Sequence, residues 1–245
     1  FINPAGLVLA RGITLYAEYG DGDGRAACTR GVFVWPGEKL TLAGGYYRGG
    51  PADGLEGEIL SLGAAFVILE GAQGSFISAG AALKGMRYSP GGDMGVCVPC
   101  GGSTGTDDAL SMDLGVMLRP LPMISLAYQA LDIFEPLPGT EDGERVVDRR
   151  QAWGLAWIWS RALTVCWERT VEGDDLSDSF GFALRSDAGL ELMAGFDRGK
   201  VSGGLRWMRE RFDCLVSFSP TDNGEIYTSI SAQLYFRKKP EEISQ

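Results

Sequence analysis

Polar and apolar residues alternate along most of this chain. Leu163, Val165 and Trp167 fall on one face of an extended segment, and Thr164, Cys166 and Glu168 fall on the other. Ile226, Ile230, Ala232, Leu234 and Phe236 oppose Tyr227, Ser229, Ser231, Gln233 and Tyr235 in the same way. Leu110, Met112, Leu114, Val116 and Leu118 oppose Ser111, Asp113, Gly115, Met117 and Arg119. A period of two marks a strand with two unlike faces. No long stretch carries a helical period with caps at its ends, so the pattern predicts an all-β chain. Fourteen strands are expected, over residues 7–19, 25–35, 38–48, 57–69, 75–88, 107–119, 122–133, 150–160, 162–172, 177–186, 188–197, 199–209, 211–219 and 226–237.

Strand length and spacing narrow the class. Many of these spans exceed the ~5–6 residues of a globular strand and reach the ~9–11 that cross a bilayer. The connections fall into two sets. Residues 49–56, 89–106 and 134–149 make long gaps, whereas Pro36-Gly37, Pro120-Leu121 and Asp187 make short ones, and the tight gap at 197–199 breaks the rule. Long loops on one rim and short turns on the other are the habit of an up-and-down transmembrane barrel, which has an even number of strands. With fourteen strands both termini lie on the short-turn, periplasmic rim.

Face chemistry fits the same architecture. Leu, Val, Ile, Phe and Trp hold one face. The other carries Gly, Ala, Ser and Thr, punctuated by Glu18, Asp113, Arg119, Arg150, Glu168, Arg185, Glu191, Arg206 and Asp213. In a soluble sandwich the large face is the core; in a membrane barrel it meets lipid and the charged face lines the lumen. Alternation alone does not separate these inversions. Strand length, strand count and loop asymmetry favour the barrel. Trp153, Trp157, Trp159, Trp167 and Trp207 lie on apolar faces or near strand ends, as an interfacial belt requires.

Composition excludes several alternatives. The 245 residues hold 22 Lys+Arg against 32 Asp+Glu, a formal charge of −10, which disfavours nucleic-acid binding. Histidine is absent, so Ser-His-Asp and Cys-His catalysis and His-bearing zinc sites drop out together. Glycine at 36 residues is about twice its usual share, but it has no collagen period, and 10% aromatic residues argue against disorder. No apolar run is long enough for a membrane helix. The chain starts at Phe1 without an initiator Met, from which a removed leader is expected.

Two ends and a middle carry a family resemblance. Asn3-Pro4-Ala5-Gly6, followed by apolar residues, resembles the motif that opens FadL-type and PorV/PorQ-type outer-membrane barrels. Residues 189–236, with GGLRW and FDCLVSFS segments before an aromatic-ended strand, are similar to the last four strands of PorV-like proteins. DLGVMLRPLPMISLAYQALDIFEP resembles that family's central hairpin. The resemblance implies a fourteen-stranded barrel in the bacterial outer membrane. It further implies either carriage of hydrophobic substrates, as in FadL-like members, or a scaffold or shuttle role in type IX secretion, as in PorV-like members. The residues that usually precede the motif, part of the plug in FadL-type proteins, are missing, so the resemblance implies a fragment or a lumen plugged differently.

Two constellations stand out. Cys97-Val-Pro-Cys100 sits in the longest loop; an oxidising envelope favours a small disulfide there, with free thiols, a redox pair or half a zinc site as alternatives. A four-cysteine zinc site needs a second pair, and Cys28, Cys166 and Cys214 are isolated in strands. Gly20-Asp21-Gly22-Asp23-Gly24 resembles a calcium loop, but Val32 stands where an EF-hand needs Glu, so a hairpin turn is expected. Glu168, Arg185, Glu191, Arg206 and Asp213 come from the last six strands on lumen faces and predict a charge network across the lumen, as a plug or constriction. Opposed carboxylates and guanidiniums also satisfy one another structurally.

The expectation is therefore a single all-β domain over residues 1–245: an up-and-down antiparallel transmembrane β-barrel with an N-terminal leading segment at 1–6 and a periplasmic tail at 238–245. No enzymatic activity, cofactor, metal or nucleic-acid partner is expected. The expected surroundings are outer-membrane lipid, with protein partners reached through loops 89–106 and 134–149. The favoured function is a PorV-like scaffold of a secretion or assembly system. The alternative is a FadL-like channel for small or hydrophobic solutes, and a soluble β-protein with an ordinary core is the third reading.

Overall fold

The alternating segments pair as antiparallel strands and close into a cylinder. The computed structural model describes residues 3–10, 12–22, 25–49, 55–90, 107–134, 149–220 and 226–236. Among these residues the first seven strands are β1 (Thr14–Gly22), β2 (Arg25–Pro36), β3 (Leu40–Gly49), β4 (Leu55–Glu70), β5 (Phe76–Pro90), β6 (Asp107–Leu121) and β7 (Ile124–Leu131). The second seven are β8 (Arg150–Ile158), β9 (Leu163–Glu172), β10 (Asp175–Arg185), β11 (Leu190–Asp197), β12 (Lys200–Met208), β13 (Phe212–Pro220) and β14 (Ile226–Tyr235). Each pairs with its sequence neighbours, and β1 pairs with β14 from Thr14↔Tyr235 to Gly22↔Tyr227. Among the described residues closure leaves no exposed strand edge.

Burial decides which way the faces point. Leu62 is 67% exposed, Ile230 54% and Leu205 53%, whereas Asp113 is 1% exposed, Lys84 4% and Ser231 4%. A soluble core would show the reverse. The apolar face is an outward band and the polar face is interior, which is the arrangement of a barrel in lipid. The soluble reading fails on this point. Aromatic residues cluster near the two rims. Trp35, Trp157, Trp159, Trp207 and Phe236 are exposed near the short-turn rim, and Tyr19, Phe180, Phe196 and Phe218 near the other. Trp157 and Trp159 pack with ring centroids 4.6 Å apart, and Arg209 lies 5.1 Å over the Trp207 ring. Trp153 and Trp167 also face outward, nearer the long-loop rim.

Beyond the apolar band toward the long-loop rim, outward-facing ion pairs join neighbouring strands. Arg87 meets Asp108 at 2.8 Å, and Arg169 meets Asp178 at 2.8 Å while lying over Trp167. Charged outward residues at this height belong beside lipid headgroups rather than acyl chains.

Two expectations need correction. The first strand does not start at residue 7: Pro4–Leu9 forms a 3₁₀ turn inside the barrel, and β1 starts at Thr14. The apolar run Leu7-Val8-Leu9 lacks the alternation of a lipid-facing strand and fills interior space instead. The loop asymmetry is also weaker than expected. Gly173-Asp174 is a two-residue hairpin on the long-loop rim and joins the tight gap already expected at 197–199, where Arg198-Gly199 forms the turn; Gly173 (φ 56°), Arg198 (φ 47°) and Gly199 (φ 81°) adopt the left-handed conformations that tight hairpins need. Cys97, Cys100, the tail 238–245 and most of loops 89–106 and 134–149 lie outside the described residues.

Candidate functional site in the lumen

The N-terminal segment occupies one side of the lumen, mainly against β4 to β6, with further contacts to β2 and β3 and with Asn3 reaching β7. Asn3 caps the 3₁₀ turn: its Oδ1 accepts from the Ala5 amide at 2.9 Å, and its Nδ2 donates to the Tyr128 carbonyl at 3.1 Å. Pro4 follows at the first turn position, where its fixed φ suits the turn and its missing N–H costs nothing. Ala5 is completely buried, and its carbonyl accepts from Ser78 Oγ at 3.1 Å. The Gly6 amide closes the turn on the Asn3 carbonyl at 2.9 Å. All four residues of the motif are thus engaged in seating the segment.

Two glycines make the seat. A Cβ at Gly80 would lie 2.5 Å from the Pro4 carbonyl carbon and 2.7 Å from the Ala5 nitrogen. A Cβ at Gly115 would stand 3.0 Å from Asn3 Cγ and 3.1 Å from the Ala5 nitrogen. At Gly80 only hydrogen lets backbone meet backbone, and at Gly115 it leaves room for the Asn3 side-chain amide, whose Oδ1 is the nearest atom.

Next to this seat, toward the long-loop rim, lies a buried charge cluster. Lys84 Nζ is 2.7 Å from Asp113 Oδ1 and 2.6 Å from Asp132 Oδ1. The Asp132 amide also donates to Asp113 Oδ1 at 3.0 Å. Asp132 has φ 53° and stands just past the end of β7, so the cluster fixes the root of the 132–149 connection. The sequence reading noted Asp113 but missed Lys84 and Asp132. Lys84 had a signal: it continues the inward series Ser78, Gly80, Ala82.

The predicted five-residue network divides. Arg185 meets Glu191 at 2.9 Å, Arg206 lies 3.6 Å from Glu191 and 2.5 Å from Asp213, and the Tyr235 hydroxyl donates to Asp213 at 2.8 Å. These groups come from β10 to β14 in turn, near the short-turn rim. They form a ladder along one wall, not a bar across the lumen, because cross-strand neighbours sit within side-chain reach. Glu168 is not part of it. Its register partners Gly154 and Ser179 place it higher, where it pairs with Arg150 at 3.8 Å and accepts from Thr170 Oγ1 at 3.3 Å. A third group lies on the wall of β1 and β2: Glu18 accepts from the Tyr16 hydroxyl at 2.6 Å and sits 3.4 Å from Arg30.

Around Glu168 the interior opens. A cavity of 420 Å³ toward the long-loop rim is lined from β8 to β14 by residues that include Arg150, Glu168, Thr170, Ser179, Lys200 and Ser202. The lumen is thus unequal. One side holds the seated segment and the Lys84 cluster; the other holds a polar cavity above the charge ladder. Carboxylates and guanidiniums that satisfy each other along a wall can orient and pass a solute.

No protein-family model matches the chain, and no curated protein matches it. Solved structures do resemble it in fold. One described as the CymD monoaromatic hydrocarbon channel aligns with a TM-score of 0.69 and 14% identity, over 97% of this chain and 92% of that one. The Ralstonia pickettii toluene transporter TbuX aligns with a TM-score of 0.65 and 12% identity, over 96% and 92%. A Pseudomonas aeruginosa FadL homologue aligns with a TM-score of 0.62 and 11% identity, over 97% and 93%. The shared fold is that of a bacterial outer-membrane barrel.

Proposed function

We propose that this chain is an outer-membrane channel that passes small solutes, on the FadL-like plan. The observation that carries this reading is the unequal lumen: the N-terminal segment fills one side, and a 420 Å³ cavity stays open on the other. The channel and transporter names of the fold neighbours support transport over the secretion scaffold that the sequence resemblance favoured. Those names speak of hydrocarbons, which is one solute class for this lumen; small polar solutes are the other. The outer-membrane setting is tested by membrane fractionation and by gel migration, which should be faster unheated than boiled. Transport is tested by ion conductance of the purified protein in planar bilayers. A folded barrel without any conductance or solute uptake refutes the channel reading.

The scaffold reading keeps one structural support. The Lys84 cluster anchors the start of the 132–149 connection, as a loop that docks a partner would require. Deleting residues 134–149 should then abolish partner capture while the barrel still folds, and retained capture refutes it.

A further inference from the structure

The cavity around Glu168 differs in kind from a hydrocarbon site. Small-molecule pockets are lined mainly by apolar and aromatic side chains with a few polar groups. This one reverses the proportion. Its hydroxyls come from Thr170, Ser177, Ser179, Ser202, Ser219 and Tyr227. Among the described residues its charges balance: Arg150, Arg198 and Lys200 stand against Glu168, Glu172 and Asp197. Pro220 is the one described lining residue without a polar side chain. Below the cavity the lumen wall continues with Ser217, Ser229 and Ser231 beside the inward-facing Leu215 and Met193, and Gln233 stands at the height of the charge ladder, opposite Asp213.

A hydrocarbon entering here would strip water from charges and hydroxyls without replacing any hydrogen bond, and each group left unsatisfied opposes its entry. A solute rich in hydroxyls replaces those bonds. Among the described lining residues three cations stand against three anions, so a solute with net charge meets no excess of opposite charge there, and this lining suits a neutral one. Ser179 Oγ already donates to Asp197 at 2.8 Å, and Thr170 Oγ1 to Glu168. Their carboxylates keep lone pairs for a diol. Arg150 Nε is a buried donor without a hydrogen-bond partner among the described residues. The volume of 420 Å³ is at the lower end of the ~300–1,000 Å³ of ligand pockets, which suits one sugar ring rather than an oligomer.

We propose that this cavity is the outer binding station for a small, neutral, polyhydroxylated solute of the sugar or polyol class. The inference rests on the channel reading and narrows it. Liposome swelling with the purified barrel tests it, with arabinose and glycine as separate osmolytes and planar-bilayer conductance recorded in parallel. Arabinose should drive swelling well above protein-free liposomes. Ser202→Trp, which puts a large ring into the cavity, should slow arabinose swelling about tenfold, and Ser179→Phe should act in the same direction. Leu205→Trp, on the lipid face of the same strand, should leave the rate unchanged. Heat-dependent gel migration confirms that each variant is folded. Ion conductance without arabinose swelling, or swelling with glycine alone, overturns the sugar assignment and leaves the channel standing. Arabinose swelling that neither cavity variant slows overturns the location. Absence of both swelling and conductance refutes the channel reading itself.

Discussion

Gly80→Ala should unseat the N-terminal segment and leave the barrel closed. The added methyl carbon falls 2.5 Å from the Pro4 carbonyl carbon, 2.6 Å from its oxygen and 2.7 Å from the Ala5 nitrogen. All three are backbone atoms, so no side chain can rotate away. On the wall, Gly80 is held by pairing with Ala65 and Gly115, and a shift there would disturb both ladders. The segment is therefore the part that moves. It forfeits two hydrogen bonds to the wall, Asn3 Nδ2 to Tyr128 O and Ser78 Oγ to Ala5 O, each worth about 1 kcal/mol. It also exposes the Ala5 methyl, at about 0.8 kcal/mol. The total, about 3 kcal/mol, corresponds to a roughly 100-fold shift in the docking equilibrium. Hydrogen exchange read by mass spectrometry reports it. The Gly6 and Ala10 amides are bonded to Asn3 O and Leu7 O only in the turn, so a peptide covering residues 3–10 should exchange roughly 100-fold faster in the variant, with the β5 and β6 peptides unchanged. Gly85→Ala, on the same strand with open space around it, is the control. Exchange within about twofold of the parent protein would show that Gly80 does not seat the segment.

Other perturbations probe the interior and the lipid face. Lys84→Met leaves the Asp113 and Asp132 carboxylates facing each other without their cation, and should destabilise the barrel by about 3–5 kcal/mol in urea unfolding from vesicles; adding Asp113→Asn should restore part of the loss. Glu191→Gln removes the carboxylate shared by Arg185 and Arg206 and should lower stability by about 2–3 kcal/mol, and a loss no larger than that of Asp178→Asn at the lipid-interface pair would deny the ladder a structural role. Leu62→Arg should cost about 2–4 kcal/mol of folding free energy in bilayers, as expected near the midplane; a neutral result would place this face away from lipid.

Much of the fold was legible because two faces with different neighbours impose a period of two. Fourteen strands were readable for that reason, and β9 begins and ends within a residue of expectation. Alternation gives a face but not a height. Glu168 and Glu191 both point inward, yet the pairings Glu168↔Ser179 and Glu191↔Arg185 set them on opposite halves of the lumen. Height depends on register, and register depends on the lengths of tight turns such as Arg198-Gly199. The N-terminal segment was misread because Leu7-Val8-Leu9 is apolar in a strand and in a packed turn alike. Its better signal was Asn3 before Pro4, a cap followed by a first-turn proline. Asp132 was beyond reach for another reason: it lies past a strand end at positive φ, where no periodicity operates.

The seated segment also sets an order of assembly. It precedes β1, yet its contacts run from β2 to β6 and, through Asn3, reach Tyr128 of β7, so the segment lines that wall inside the cylinder. β1 is one half of the final seam, joined to β14 and extended by the Phe236 amide on the Ile13 carbonyl at 3.0 Å. Threading the segment through a finished seam would mean driving Leu7 to Leu9 past the charged short-turn rim. Docking it on the β4–β7 wall while the sheet is still open avoids that passage. On that order the segment should act as an internal former around which the sheet curls, with the β1–β14 seam the last pairing to close. Pulse-labelled folding should show protection at residues 4–9 before protection at the β1–β14 pairs.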